Sequence, residues 1–182
     1  GFIILIQFEK LTIVYGILSL GLVAVYPFMK RITWWPQFFL GLAFNYGIIL
    51  ASVEINNYVS IVCLLLYLSG IFWTLGYDTI YALIDIHDDI KADIKSTAIY
   101  LGKNKIKQFL LIFYSLSLIL IFISAIIIKV KWFFWIIFIF SVLQILWQII
   151  TLENENKKDC LKKFKSNNLF GLLIFIGFLI GN

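Results

Sequence analysis

Long apolar stretches without interruption constrain this chain more than any other feature of its sequence. Five of them, at residues 11–29, 34–52, 58–84, 106–128 and 132–152, approach or exceed the roughly 20 residues that a helix needs to cross the hydrocarbon core of a bilayer. Hydrophobic residues make up 62 % of the chain, and it contains only two prolines. Soluble globular domains do not have this composition. The chain is therefore predicted to be an integral membrane protein.

A sixth apolar stretch, residues 169–180, is shorter, and a polar segment separates it from the fifth. Because Gly171 and Gly177 permit close helix packing, we expect a tilted or half-length sixth span. Residues 2–8 are typical of the end of an earlier helix, which suggests that the chain is a fragment. The apolar runs are continuous and lack the alternation of a membrane β-barrel. The prediction is an all-α fold, a polytopic transmembrane helix bundle with about six spans.

The distribution of lysine and arginine predicts the orientation of this bundle. Six spans place Lys30, Arg31 and the segments 85–107 and 153–168 on one face of the membrane, and this face holds twelve of the fifteen basic residues. The other face has Lys10, Lys129 and Lys131. Basic residues accumulate on the cytoplasmic side. We therefore expect the first face, with any chemistry it carries, to face the cytoplasm.

Half of the ten acidic residues lie in one short segment at the end of the third span: Asp78, Asp85, Asp88, Asp89 and Asp93. If the helix continues past residue 84, Asp85 and Asp89 lie one turn apart on the same face, where their charges repel. A divalent cation would remove this repulsion. Oxygen ligands without supporting His or Cys residues favour Mg²⁺ or Ca²⁺, and Mg²⁺ often shares its ligands between carboxylates and phosphate.

The same segment has a simpler interpretation as a solvated loop whose acids are balanced by Lys91 and Lys95. Asp78 weakens that interpretation, because it lies inside the apolar run, where an ionisable residue indicates function. His87, the single histidine, has no second His or Cys beside it and is predicted to be a helix-end residue and no metal ligand.

A basic counterpart, YPFMKRITWWPQ, ends the first complete span on the same membrane face. Lys30 and Arg31 in this segment suit a diphosphate, because lysine supplies a point charge and arginine a bidentate donor. The alternative is ordinary membrane anchoring, with Trp34 and Trp35 as interfacial residues.

Together the two segments resemble the UbiA-type intramembrane prenyltransferases, most closely the 4-hydroxybenzoate polyprenyltransferase branch of ubiquinone biosynthesis. YPFMKRITWWPQFFLGLAFNYG resembles the branch pattern YP-x-x-KR-x-T-x-x-PQ-x-x-LG-x-AF, and YDTIYALIDIHDDIKADIKSTAIYLG resembles YDT-x-YA-x-x-D-x-x-DD followed by KSTA. The resemblance covers nearly the whole chain.

This resemblance implies a single membrane domain over residues 1–182 that corresponds to the C-terminal two-thirds of a bundle of about nine helices. The family has two Asp-rich motifs, and the first, ND-x-x-D-x-x-x-D, does not occur in residues 1–182. The fragment alone is therefore expected to be inactive. A further departure is Asp93, where the family usually has glycine.

The resemblance also implies roles for single residues. Asp85 and Asp89 match the DxxxD carboxylates that hold Mg²⁺, with Asp88 as a supporting acid. Lys30, with Tyr26, matches the YxxxK pair near the diphosphate. The remaining residues expected to bind substrate or line its site are Arg31, placed at the aromatic carboxylate, and Asp78, Tyr81 and Lys95.

The implied reaction transfers a polyprenyl group from polyprenyl diphosphate to the ring of 4-hydroxybenzoate, with Mg²⁺ as cofactor. The implied surroundings are membrane lipid, a bacterial inner membrane with the site toward the cytoplasm, and no nucleic acid partner. Three alternatives stay open: a cation transporter that uses the acidic cluster, an inactive remnant or assembly subunit, and a prenyltransferase for another acceptor such as haem or a naphthoate.

Overall fold

The computed structural model describes residues 1–102 and 104–181, which contain nine helices and no strand. The helices are α1 Phe2–Leu5, α2 Lys10–Ile32, α3 Pro36–Phe44, α4 Gly47–Asn56, α5 Ile61–Lys91, α6 Thr97–Leu101, α7 Ile106–Ile127, α8 Trp132–Thr151 and α9 Lys157–Gly181. Six spans in this part of the chain are long and apolar enough to cross a membrane, with α3 and α4 together forming one of them. The predicted all-α bundle with six spans is confirmed.

The sixth span is longer than the sequence predicted. Helix α9 has 25 residues and begins at Lys157, so the expectation of a half-length span over 169–180 is wrong. Its polar first half includes Lys163, which is 3 % exposed, lies 3.4 Å from Asp159 and packs its Nζ 3.7 Å from the ring centroid of Trp147. Hydropathy did not predict this half of α9 because its side chains are polar. The contacts with Asp159 and Trp147, and not apolar character, allow Lys163 to be buried.

The second span is not one continuous helix, because the helix is interrupted between α3 and α4 at Asn45 and Tyr46. The Asn45 Nδ2 group donates to the Gly41 carbonyl over 2.8 Å and to the Thr74 hydroxyl over 3.0 Å. A side chain that bonds to the preceding turn competes with the helical ladder. Broken helices at membrane depth need such partners for their freed backbone groups.

Helix α5 lies at the centre of the bundle and contacts α3, α4, α6, α7 and α9. Small residues allow this close packing: Gly76 lies directly against the ring of Tyr114 on α7, and Gly41 of α3 lies against Ile71. The predicted role of Gly171 and Gly177 is also confirmed, because they lie against Trp73 and Phe134. Helix α5 continues to Lys91, beyond the predicted end at residue 84.

Contacts between helix ends support the predicted grouping of loops on two faces. On the basic face, the Lys107 Nζ donates to the Ile150 carbonyl over 3.1 Å, which joins the start of α7 to the end of α8. On the opposite face, the backbone N–H of Lys131 donates to the Gly181 carbonyl over 2.6 Å. The polar segments therefore collect at the end of the bundle where α5 finishes.

Candidate active site

A cavity of about 130 Å³ lies at this basic end, between the end of α2, the start of α3, the last turns of α5 and the segment before α6. Its charged lining residues are Asp78, Asp85, Asp89, Lys30 and Lys95, and Tyr26 and Tyr81 complete the list of predicted residues found there. The two sequence segments thus meet in one pocket. Because Lys30 belongs to a different helix from the acids, this arrangement favours a pocket over the solvated loop that was the simpler interpretation.

Helix geometry explains which acids reach the cavity. Asp78, Asp85 and Asp89 are spaced by seven and four residues, which places them on one face of α5. Asp88 and His87 lie on the neighbouring face, are exposed and do not line the cavity. The structure therefore brings Asp85 and Asp89 together as predicted and leaves Asp88 outside.

Helix α2 supplies Tyr26 and Lys30, which are one turn apart and both line the cavity. Arg31, one position later, is exposed and lies outside it. The Lys30 ammonium is near enough to Asp78 and Asp89 for its charge to attract both carboxylates. Among the described residues, however, no ion pair within 4 Å joins Lys30 or Lys95 to these acids.

The segment after α5 is held against the end of α2. The backbone N–H of Lys95 donates to the Lys30 carbonyl over 2.9 Å, and the Lys95 Nζ donates to the Ile32 carbonyl over 3.2 Å. The same ammonium lies 5.6 Å from the ring centroid of Trp34. These contacts fix Lys95 at the cavity wall.

Gln37 and Thr97 form a second connection between the segments, and neither was singled out from the sequence. The Thr97 hydroxyl donates to Gln37 Oε1 over 2.6 Å, and the Thr97 backbone N–H donates to the same oxygen over 3.3 Å. Gln37 is buried and lines the cavity. The available signals were that the two quoted patterns contain both residues, Gln37 in PQ and Thr97 in KSTA, and that Gln37 is a long polar side chain at the start of an otherwise apolar helix.

Asp93 adopts a left-handed backbone with φ of 51°. The flanking bonds run from Asp93 N–H to the Ile90 carbonyl and from Ile94 N–H to the Asp89 carbonyl. This is the Schellman arrangement, in which the residue after the helix cap is usually glycine. Asp93 therefore occupies the turn position where a side chain is least favourable and where glycine fits without strain.

The carboxylates fit Mg²⁺ only as a partial site. In the described part of the chain, no group of three His, Cys, Asp or Glu side chains is arranged to hold a metal. Asp85 and Asp89 nevertheless line one cavity with two lysines, and Mg²⁺ commonly binds one or two carboxylates while substrate phosphates supply further ligands. The residues fit an ion that arrives with a diphosphate.

An aromatic series leads from this cavity toward the middle of the bundle. The distances between ring centroids are 4.9 Å from Tyr81 to Phe164, 5.9 Å from Phe164 to Tyr77 and 5.3 Å from Tyr77 to Trp73. Trp73 lines a second, largely apolar cavity of about 310 Å³. The two cavities share no lining residue, but one offers charged groups to an anionic head and the other an apolar surface to a hydrocarbon tail.

Comparison with known proteins shows which family this chain is similar to. The UbiA prenyltransferase family model matches residues 1–177. The chain is 40 % identical over its whole length to 4-hydroxybenzoate geranyltransferase 1 of Lithospermum erythrorhizon. It is 41 % identical over its whole length to the mitochondrial 4-hydroxybenzoate polyprenyltransferase of Arabidopsis thaliana. Over 97 % of its length it is 34 % identical to the 4-hydroxybenzoate octaprenyltransferase of Klebsiella pneumoniae.

The chain spans about half the length of the curated relatives it matches, with 59 %, 44 % and 61 % of these three proteins covered. No solved structure matches it. A family match over almost the entire chain, with identities of this size, means that the chain belongs to the UbiA prenyltransferase family.

Proposed function

We propose that the protein transfers a polyprenyl group from polyprenyl diphosphate to the ring of 4-hydroxybenzoate, a step of ubiquinone biosynthesis. The observation that carries this proposal is the cavity in which Asp85 and Asp89 meet Lys30 and Lys95 at the end of membrane-spanning helices. The printed names of the relatives, which specify 4-hydroxybenzoate as acceptor, support the same substrate.

The proposed roles follow from charge. Lys30 and Lys95 bind diphosphate oxygens, and Asp85 and Asp89 hold Mg²⁺. When bound, Mg²⁺ supplies Lewis-acid stabilisation of the charge that develops on the leaving diphosphate, a contribution of several kcal/mol. Asp88 and Arg31 lie outside the cavity. Their proposed roles, as a supporting acid and as the partner of the aromatic carboxylate, rest on the motif resemblance alone.

The organic step breaks the bond between the allylic carbon and the diphosphate oxygen. The ring carbon ortho to the phenol hydroxyl then forms a bond with the allylic carbon and loses its proton. The aromatic rings of Tyr81, Tyr77 and Phe164 offer π faces to a carbocation and exclude water from it. The apolar cavity beside Trp73 suits the prenyl tail.

The proposed setting is a bacterial inner membrane with the cavity toward the cytoplasm. The concentration of basic residues at the cavity end supports this orientation. Membrane lipid contacts the apolar outer surface, where large side chains such as Ile17, Phe140 and Leu179 are exposed.

The decisive experiment measures prenylation of 4-hydroxybenzoate by membranes that contain the full-length gene product and by membranes that contain residues 1–182 alone. We expect Mg²⁺-dependent product from the first and none from the second, because the first Asp-rich motif does not occur in residues 1–182. Product from residues 1–182 alone would contradict the proposed division of the metal site. A full-length product that prenylates haem or a naphthoate instead would overturn the proposed acceptor.

A further inference from the structure

We propose that Gln37 is a substrate-binding residue whose side-chain N–H group donates to an anionic oxygen of the substrate, and that Thr97 is the positioning residue that orients it. This inference rests on the proposed function, because it assigns Gln37 to the same cavity. The anionic oxygen belongs to a diphosphate or to the carboxylate of the aromatic acceptor, and the experiment below separates these two sources.

The hydrogen bonds from Thr97 determine which end of the Gln37 amide faces the cavity. A backbone N–H group can only donate, so the Gln37 atom that faces Thr97 N–H over 3.3 Å must be the oxygen. The Thr97 hydroxyl donates to the same oxygen over 2.6 Å. The usual ambiguity between the oxygen and nitrogen of a glutamine amide is thereby removed. The Nε2 group must point away from Thr97.

The Nε2 group has no acceptor among the residues that the structure describes, and it is not one of their buried unpaired atoms, so it is open to the cavity although Gln37 as a whole is only 3 % exposed. A donor in this position is free to bond to what occupies the cavity, whether water or a ligand. Gln37 lines the charged cavity. The partner that the amide lacks is therefore expected to come from the molecule that occupies this cavity.

Three carboxylates and two lysines line the cavity, and the two lysines, whose backbones are joined by the Lys95 N–H to Lys30 carbonyl bond, favour an anionic partner on their side of it. Lys30 and Lys95 supply positive charge on the same wall, and Lys95 is only two positions before Thr97. A neutral amide adds what these cations lack, which is a donor with a fixed direction. Two lysines attract an anion, whereas a clamped amide orients one of its oxygens.

Thr97 is well placed to hold the amide rigid. It begins α6, whose first turn is capped by the Ser96 hydroxyl accepting from Ile99 N–H over 3.4 Å. Its hydroxyl also lies 3.3 Å from the Trp34 carbonyl. Thr97 is fully buried, so it does not reach the substrate itself.

Four variants of the full-length gene product separate the role of the Gln37 Nε2 donor from that of Thr97, which orients the amide. Gln37→Glu keeps an oxygen for Thr97 and replaces the donor by a charged acceptor, whereas Gln37→Met removes both. Thr97→Val removes the hydroxyl, and Thr97→Ser retains it. The measurements are the KM values for polyprenyl diphosphate and for 4-hydroxybenzoate, and calorimetric binding of inorganic diphosphate with Mg²⁺ and of 4-hydroxybenzoate.

We expect Gln37→Glu and Gln37→Met to raise one of the two KM values at least about tenfold, as for other sites that lose a directed hydrogen bond to substrate. If the oxygen belongs to diphosphate, the KM for polyprenyl diphosphate rises and inorganic diphosphate binds more weakly. If the oxygen belongs to the acceptor, the KM for 4-hydroxybenzoate rises instead and 4-hydroxybenzoate binds more weakly. Thr97→Val should weaken the binding of the same substrate, and Thr97→Ser should bind that substrate as the wild-type protein does.

Matched controls are Gln144→Glu, a half-buried amide on α8 that donates to Ser166, and Thr79→Val, a buried hydroxyl that donates to Leu75. Both lie outside the cavity and should leave the KM values unchanged.

Normal KM values and normal binding of both probes in Gln37→Glu would overturn the inference. A wild-type protein that binds a probe without prenylating would refute the proposed function only, and one that binds neither probe would refute both.

Discussion

The backbone N–H of Lys95 donates to the carbonyl oxygen of Lys30 over 2.9 Å, and the side chains of both residues line the same cavity. This bond joins the end of the first full span to the segment that follows α5. It brings the two cations close together in a cavity that the carboxylates of α5 also line. A diphosphate that enters the cavity would therefore meet both charges at once.

The acids of α5 give the first prediction. Asp85→Ala and Asp89→Ala in the full-length gene product should each lower turnover by about a hundredfold or more, since each removes a proposed Mg²⁺ ligand that would act as charge develops on the leaving group. Asp88→Ala should have a much smaller effect, because Asp88 is exposed outside the cavity. Prenylation rates, normalised to the amount of protein in the membrane, check this. An essential Asp88 with a dispensable Asp85 would mean that the other face of α5 binds the metal.

The adjacent cations of α2 give a second prediction through charge-preserving exchanges. Lys30→Arg should impair use of the diphosphate, because a planar guanidinium does not replace a compact ammonium in a small cavity. Arg31→Lys should raise the KM for the aromatic acid if the motif resemblance assigns it correctly. Both variants keep their charge and should insert normally, which immunoblots of membranes would verify. Wild-type kinetics in both would leave these residues as membrane anchors.

Helix α5 carries a feature of the candidate site that could be predicted from the sequence alone. The spacing of Asp85 and Asp89 predicted one shared face on the condition that the helix continues past residue 84, and α5 meets this condition by continuing to Lys91. The grouping of basic loops on one face also followed from the order of the six spans. These features depend on local periodicity and on the membrane, which act on each segment separately.

The missed features depend on contacts between distant segments. Gln37 reads as one polar residue in an apolar helix until Thr97 is known to donate to it. The polar start of α9 reads as a loop until Lys163 is placed against Trp147 and Asp159. The break at Asn45 likewise requires its partner Thr74 on α5. No single-segment pattern contains this information.

The left-handed residue after α5 gives a third prediction, for stability. Asp93→Gly should raise the Tm of the detergent-solubilised protein, because a left-handed backbone costs roughly 1 kcal/mol with a side chain present and little with glycine. Gly102, with φ of 64° and no atom near the position of a Cβ, is the matched site. Gly102→Ala should lower the Tm for the same reason. A Tm that falls in Asp93→Gly would show that the aspartate side chain itself stabilises the turn.

The contact between Gly76 and Tyr114 gives the last prediction. A Cβ atom added at Gly76 would lie 2.5 Å from a carbon of the Tyr114 ring, and Tyr114 is itself fully buried and bonded to Gln148 on α8 over 3.2 Å. The ring cannot move without breaking that bond, so Gly76→Ala should destabilise the bundle by about 1–3 kcal/mol, as overpacking of cores does. Thermal unfolding of the protein in detergent measures the effect. Gly21→Ala is the control, because Gly21 on α2 has open space at its Cβ position and alanine favours the helix. An unchanged Tm in Gly76→Ala would mean that α5 and α7 can separate locally, and that their packing does not fix the position of the acids on α5.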